Sequence, residues 1–143
     1  LKPEALWEIE RGLSLSGQAI YNSALKKSKW HNVASELFEN FDLLVLPSTQ
    51  VWPFDLSEIY PKSINSKKMD TYHRWMQVTI PAGLLGLPVV NIPIGFGKNG
   101  LPVGLQLIGS KGSDGQILSI AQAWHEHTRW PDVNIPKFKY KST

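Results

Sequence analysis

The chain has no cysteine in its 143 residues. That excludes a disulfide framework and any thiolate metal site, and it leaves the redox environment open. Long apolar runs are also missing: none approaches the roughly 20 residues that cross a bilayer. The opening residues, LKPEALWEIE, lack the succession of basic, apolar and small residues that marks a signal peptide. The sequence therefore predicts no membrane partner and a cytoplasmic location. Charge of one sign is scarce as well. Fifteen Lys and Arg stand against 12 Asp and Glu, a net charge of +3. The basic residues sit in short separate groups such as Lys26-Lys27, Lys67-Lys68 and the KFKYK of 137–141. A nucleic-acid binder shows a continuous basic stripe or a known motif, so these lysines read as solvated surface and no nucleic-acid partner is expected. There is no initiator methionine. The first residue is Leu1, which sets the expectation of a processed product or a piece of something longer. Internal repeats and low-complexity tracts are absent too.

With 42% hydrophobic residues, the chain carries enough apolar material for one domain of ordinary size. Lys2-Pro3-Glu4 reads as a helix start, since Pro is tolerated in the first turn and an acidic group there suits the helix dipole. Leu6, Ile9, Leu13, Ile20, Ala24 and Leu25 fall on one helical face, which Gly12 and Gly17 weaken. A second stripe holds Trp30, Val33, Ala34, Leu37, Phe38 and Phe41, and core packing is the expected role of its aromatics. Residues 42–47, DLLVLP, read as a buried strand ended by Pro47, followed by a long irregular segment to about Lys68. From Met69 the spacing of Tyr72, Trp75, Met76 and Thr79 predicts a helix capped by Asp70 or Thr71, which Pro81 kinks or ends. Two β-branched runs, LPVVNIPIGF and LPVGLQLIG, flank KNG, whose Asn-Gly pair predicts a tight hairpin. Pro93 then has to occupy an edge, a bulge or a site where the missing N–H would face away from the partner strand. Ser113 and Gln116 have the spacing of a capping box, opening a final amphipathic helix with Ile117, Ile120, Ala121 and Trp124 inward. The fold class is α/β.

Residues 86–110 contain six glycines and three prolines but no carboxylate, histidine or cysteine. Gly95, Gly97 and Gly100 match Gly-x-Gly-x-x-Gly literally. A dinucleotide site needs a helix directly after that motif, and Leu101-Pro102 opens a strand instead. Of the four histidines, only His125 and His127 are close, and a spacing of two puts them on different helix faces. No metal and no cofactor is predicted. Thirteen serines are present, none in a Gly-x-Ser-x-Gly elbow. Ser48-Thr49 follows a strand end, where side chains project into clefts, although turn capping is the commoner role. The residues by themselves display no catalytic constellation.

Three stretches nevertheless resemble one family in order and wording: FDLLVLPST, then TIPAGLLGLPVVNIPIGF, then GLPVGLQLIGSKGSDGQILSIAQAWHEHTRW. They resemble the C-terminal portion of the amidase signature enzymes, which include aliphatic and aromatic amidases and the A subunit of glutamyl-tRNA amidotransferase. Gly83 departs from the pattern, where many members carry Asn. The resemblance implies that residues 1–143 are one segment of an amidase domain, part of a mixed β-sheet with flanking helices, a hairpin in the C-terminal half and a final amphipathic helix. It implies amide hydrolysis by a Ser, cis-Ser, Lys triad through an acyl-enzyme. No triad member is present: there is no Ser-Ser pair and no Gly-Gly-Ser run. No catalytic residue carries over, and the chain alone is expected to be inactive. The glycine- and proline-rich stretch is then scaffold.

By position, Thr49, Gln50 and Trp52 after the strand, and Trp75, Met76 and Thr79 before Pro81, are the candidates for a substrate pocket. If the aromatics line one, an apolar or aryl amide suits it. The implied partners are a small amide, the remainder of the amidase domain and, because a cut sheet exposes strand edges, further copies of the chain. Two other readings stand beside this one: a scaffold or accessory binding protein derived from the family, and a portion of the A subunit of glutamyl-tRNA amidotransferase.

Overall fold

The computed structural model describes residues 1–135, so the basic group at 137–141 lies outside the described residues. Helix α1 runs Pro3–Leu13, with Pro3 and Glu4 in its first turn and Arg11 in its last. The chain does not continue the apolar stripe into one helix reaching Leu25. Ser14 Oγ donates to Arg11 O at 2.7 Å, and Ser16, in extended conformation, accepts from Ala19 N at 3.1 Å. These hydroxyls compete for backbone groups and so end one helix and cap the next. Helix α2 then runs unbroken over Gly17–Asn40, where the sequence suggested two separate stripes. Its second stripe is only partly covered: Ala34 is buried, Trp30, Leu37 and Phe38 are half-buried, and Val33 and Phe41 are exposed.

Strand β1 (Leu44–Pro47) is followed by the irregular segment, which contains one small hairpin of β2 (Ser63–Ile64) and β3 (Lys67–Lys68). Asn65 and Ser66 both take positive φ, 47° and 64°, as a two-residue type I′ turn requires. Helix α3 is a single turn, Tyr72–Trp75, capped by Thr71 Oγ1, which accepts from Arg74 N at 3.3 Å. A 3₁₀ turn, Gln77–Thr79, leads into α4 (Ile80–Leu85). Pro81 therefore ends no helix. It lies in the first turn of α4, where a missing N–H leaves nothing unpaired. Gly86 closes α4 in left-handed conformation, with Gly86 N donating to Gly83 O and Leu87 N to Ala82 O, both at 3.2 Å, the two bonds of a Schellman motif.

The long hairpin pairs β4 (Val89–Phe96) with β5 (Pro102–Ile108), from Val89 against Ile108 to Phe96 against Pro102. Its turn differs from the expected tight form. Gly97 N donates to Leu101 O and Gly100 N to Gly97 O, and only Gly100 takes positive φ, 74°. That is a three-residue loop with a left-handed glycine, so Asn99 needs no positive φ; its carboxamide oxygen accepts from Leu101 N at 3.2 Å. Strand order is β1-β5-β4, all antiparallel, which places Pro93 on the edge strand, beside a bulge between Pro93 and Gly95.

Helix α5 (Asp114–Thr128) packs on the hairpin through buried Ile117, while Trp124 Nε1 donates to Pro93 O at 2.8 Å. The capping box does not form. Ser113 stands at the N-cap position, but its hydroxyl donates back to Ser110 O at 2.7 Å. A short α6 (Trp130–Val133) sets Trp130 against Phe96. The core is small and sits where α5, the hairpin, α2 and α4 meet: Ala34, Ala82, Ile92, Leu107, Ile108 and Ile117, with Met69 buried ahead of α3. Trp30 Nε1 ties α2 to α4 by donating to Pro81 O at 2.9 Å.

Candidate functional site

At the end of β1 the chain turns away from the sheet, and two carboxamides fix where it goes. Gln106, on the central strand and buried, donates from Nε2 to Pro47 O at 2.8 Å and to Val78 O at 3.2 Å. Gln50 accepts at Oε1 from Val78 N at 3.0 Å and donates from Nε2 to Arg74 O at 3.4 Å. The strand end, the loop after it and the segment after α3 are thereby held together, and an open cleft of about 340 Å³ is lined by the strand end, that loop, Trp75 of α3 and the start of β5. Ser48 and Thr49 occupy its floor with the Pro102–Gly104 end of β5, and Val51, Trp52, Phe54 and Trp75 form its walls. Among the described residues, none that lines it is acidic, basic or histidine.

Tight local packing sets the aromatic walls. A Cβ at Gly97 would meet the Trp52 ring at 2.8 Å, so the hairpin turn is a glycine platform for that indole. Phe54 and Trp75 meet edge to face, centroids 5.6 Å apart. Ser48 N donates to Gly104 O at 3.0 Å, and Ser48 Oγ bonds Asn91 Oδ1 at 2.9 Å. A Cβ at Gly104 would meet Ser48 Oγ at 2.8 Å and Ile92 O at 3.0 Å. The Thr49 hydroxyl is spent on a local turn, accepting from Val51 N at 3.2 Å and donating to Val51 O. Trp75 Nε1 is buried with no acceptor among the described residues.

Of the six pocket candidates, Thr49, Gln50, Trp52 and Trp75 line this cleft. Met76 and Thr79 do not; Thr79 Oγ1 donates to Met76 O at 2.8 Å, within their own turn. Phe54, Val103 and Gly104 were not singled out from the sequence. Phe54 lies in a segment without periodicity, and Val103 and Gly104 read as plain strand. Among the described residues no group of three His, Cys, Asp or Glu side chains gathers as a metal site would require. Gly95 and Gly97, matched to the dinucleotide motif, end β4 and begin its turn, with a strand following.

A family model described as Amidase matches residues 2–118. The chain belongs to the amidase family. It corresponds to a C-terminal portion of an amidase signature enzyme. Among curated relatives it is 36% identical over 107 residues to the A subunit of the glutamyl-tRNA(Gln) amidotransferase of Thermotoga maritima, covering 74% of this chain and 21% of that one. It is 38% identical over 90 residues to a fatty acid amide hydrolase of Medicago truncatula, covering 62% and 14%. The chain thus spans about a fifth or less of these relatives' length. In fold it is similar to a bacterial aryl acylamidase of the amidase signature family, with a TM-score of 0.80 at 24% identity over 92% of this chain and 27% of the other. A second amidase structure gives 0.75 at 22%, over 89% and 29%. The small antiparallel sheet with its flanking helices is therefore a piece of the amidase signature fold. No described helix is long and apolar enough to cross a membrane.

Proposed function

We propose that residues 1–143 form one segment of the catalytic domain of an amide hydrolase and supply a wall of its substrate site, while the remaining polypeptide supplies the chemistry. The observation that carries this reading is the composition of the cleft. Among the described residues its lining is mainly aromatic and aliphatic with no ionisable side chain, which suits the apolar part of a substrate; the Ser48 and Thr49 hydroxyls that also line it are bonded to Asn91 and Val51 and have no base beside them to activate either as a nucleophile. In the intact enzyme a Ser, cis-Ser, Lys triad attacks the amide carbonyl, forms an acyl-enzyme and releases ammonia or an amine; water then frees the carboxylate. The segment alone is inactive. Thr49, Gln50, Trp52 and Trp75 border the substrate, and Met76 and Thr79 belong to the turn that follows Trp75. An apolar or aryl amide is the substrate class.

Trp52→Ala in the intact enzyme tests the assignment. KM for an anilide of an aromatic acid should rise on the order of tenfold with kcat changed far less, because uniform binding is lost. An unchanged KM would remove the cleft from the substrate site. Turnover of the same anilide by the purified 143-residue segment would overturn the division of labour. One observation favours a second reading: 36% identity to the A subunit of a glutamyl-tRNA(Gln) amidotransferase. Ammonia release from glutamine, with no turnover of the anilide, would select that reading. A free-standing scaffold protein is disfavoured by the large apolar side chains left open to solvent, such as Leu13 and Leu56.

A further inference from the structure

A second cavity, of about 280 Å³, is lined in part by Tyr72 and His73 of α3 and shares no lining residue with the cleft. Its walls are aromatic and come from three distant parts of the chain: Trp7 on α1, Tyr60 in the irregular segment, and Tyr72 with His73 on α3. Trp7 stacks on His73 with centroids 5.6 Å apart, Tyr72 meets His73 edge to face at 6.0 Å, and Tyr60 meets Tyr72 edge to face at 5.7 Å. This aromatic chain is only partly covered: Trp7 is 44% exposed, and Tyr60, Tyr72 and His73 are half-buried beside the cavity.

Charge around the cavity is unevenly spent. The Asp70 carboxylate is taken by Arg74, whose Nε and Nη2 both donate to it, and Glu8 Oε1 is held by His73 Nε2 at 2.6 Å. Glu4, in the first turn of α1, lines the cavity and has no ion-pair partner among the described residues. The cavity therefore combines several aromatic rings with one carboxylate that has no ion-pair partner among the described residues. One face of Tyr60 already holds an ammonium group, with Lys62 Nζ 3.9 Å from its centroid; Lys62 reaches it from the adjoining hollow lined by Glu58 and Pro61, so a ligand cation would meet the remaining ring surfaces.

We infer that this cavity binds an alkylated ammonium group, a quaternary one above all. Aromatic faces favour a diffuse, weakly hydrated cation because the ring quadrupole attracts it while little hydration is lost, and methyl groups make contact that an ammonium N–H would not. Glu4 supplies the long-range attraction and Trp7, Tyr60 and Tyr72 the contact surface. The inference is independent of the amide chemistry proposed above.

Calorimetric titration of the intact protein that contains this segment with choline, and with its neutral carbon isostere 3,3-dimethyl-1-butanol, tests it. Choline should bind on the order of tenfold more tightly than the isostere, the margin that cation–π contact plus one carboxylate supports. Glu4→Gln, an exchange that preserves size at a helix start, should reduce choline affinity several-fold, and Tyr72→Leu should abolish binding. Circular dichroism melting of both variants shows whether each still folds. Equal affinity for the isostere would make the cavity merely apolar and overturn the inference. So would absence of binding, or binding that survives Glu4→Gln unchanged in a folded variant.

Discussion

Asp70 and Arg74 stand one helical turn apart on the rim of α3, and the guanidinium holds the Asp70 carboxyl below the usual carboxylate range, mainly through its hydrogen bond to the ionised form. Arg74 is correspondingly raised by Asp70. A carboxyl whose folded pKa is depressed stabilises the fold fully above its unfolded pKa and loses that contribution as pH falls through the folded value. The pair is exposed, so its effect on stability is small and salt-sensitive, but its titration is directly readable. In Arg74→Gln the Asp70 carboxyl should titrate at higher pH than in the parent, in the ordinary aspartate range, as followed by side-chain carboxyl NMR. A curve that does not move would show that the guanidinium is not what holds the charge. Asp55 is also lowered, by the Ser57 hydroxyl and amide, so it serves as the internal reference that Arg74→Gln leaves in place. At this scale the sequence hid most of the architecture of the cleft. Gln50 is a pocket candidate by its position after β1, but nothing in the sequence ties it or Gln106 to Val78, 28 residues from each, which bonds both of them. Local patterns carry no such information.

Helices and turns followed the sequence where a local chemical device decided the outcome and departed where two devices competed. Pro3 and Glu4 opened α1 as their chemistry dictates, and the hairpin arose between the two β-branched runs. The positive-φ two-residue turn formed at Asn65-Ser66, however, and not at Asn99-Gly100. A bulged glycine loop satisfied the longer hairpin equally well. At Ser113 the hydroxyl had two acceptable partners, and the preceding carbonyl won over the helix amide. Glycines in elements separate into those that the packing requires and those that it does not. Gly83 lies inside α4 with open space where a Cβ would project, whereas Gly104 lies on the central strand against Ser48 and the Ile92 carbonyl. Gly83→Ala should raise unfolding free energy by about 0.5–1 kcal/mol, through lower entropy of the unfolded chain. Gly104→Ala should lower it by about 1–3 kcal/mol, because the central strand has to shift. Chemical denaturation of both variants decides the matter; equal effects at the two positions would mean that strand and helix contacts at these glycines are not as described.

At the scale of the whole molecule, the apolar pattern and its burial disagree, and the disagreement has a physical source. Leu6, Ile9 and Leu13 of α1, with Ile20 and Leu25 of α2, form the face that the sequence marks as inward, yet all are exposed, Leu13 by 84%. Leu56 is fully exposed at 100%. Periodicity reports which face needs a partner but not whether that partner lies within the same stretch of chain. Here the relatives are about five times longer, and the three-stranded sheet has β1 and β4 as its edges among the described residues. A monomer of this segment leaves unpaired backbone on two strands beside apolar helix faces, an arrangement that favours pairing with another chain. The isolated 143-residue chain should therefore associate, with a sedimentation coefficient that rises with concentration in the micromolar range. Addition of the remaining domain in trans should suppress that association by covering the same faces. A concentration-independent monomer would mean that α1 and α2 turn their apolar stripes inward in solution, and that the open faces described above are closed by the chain itself.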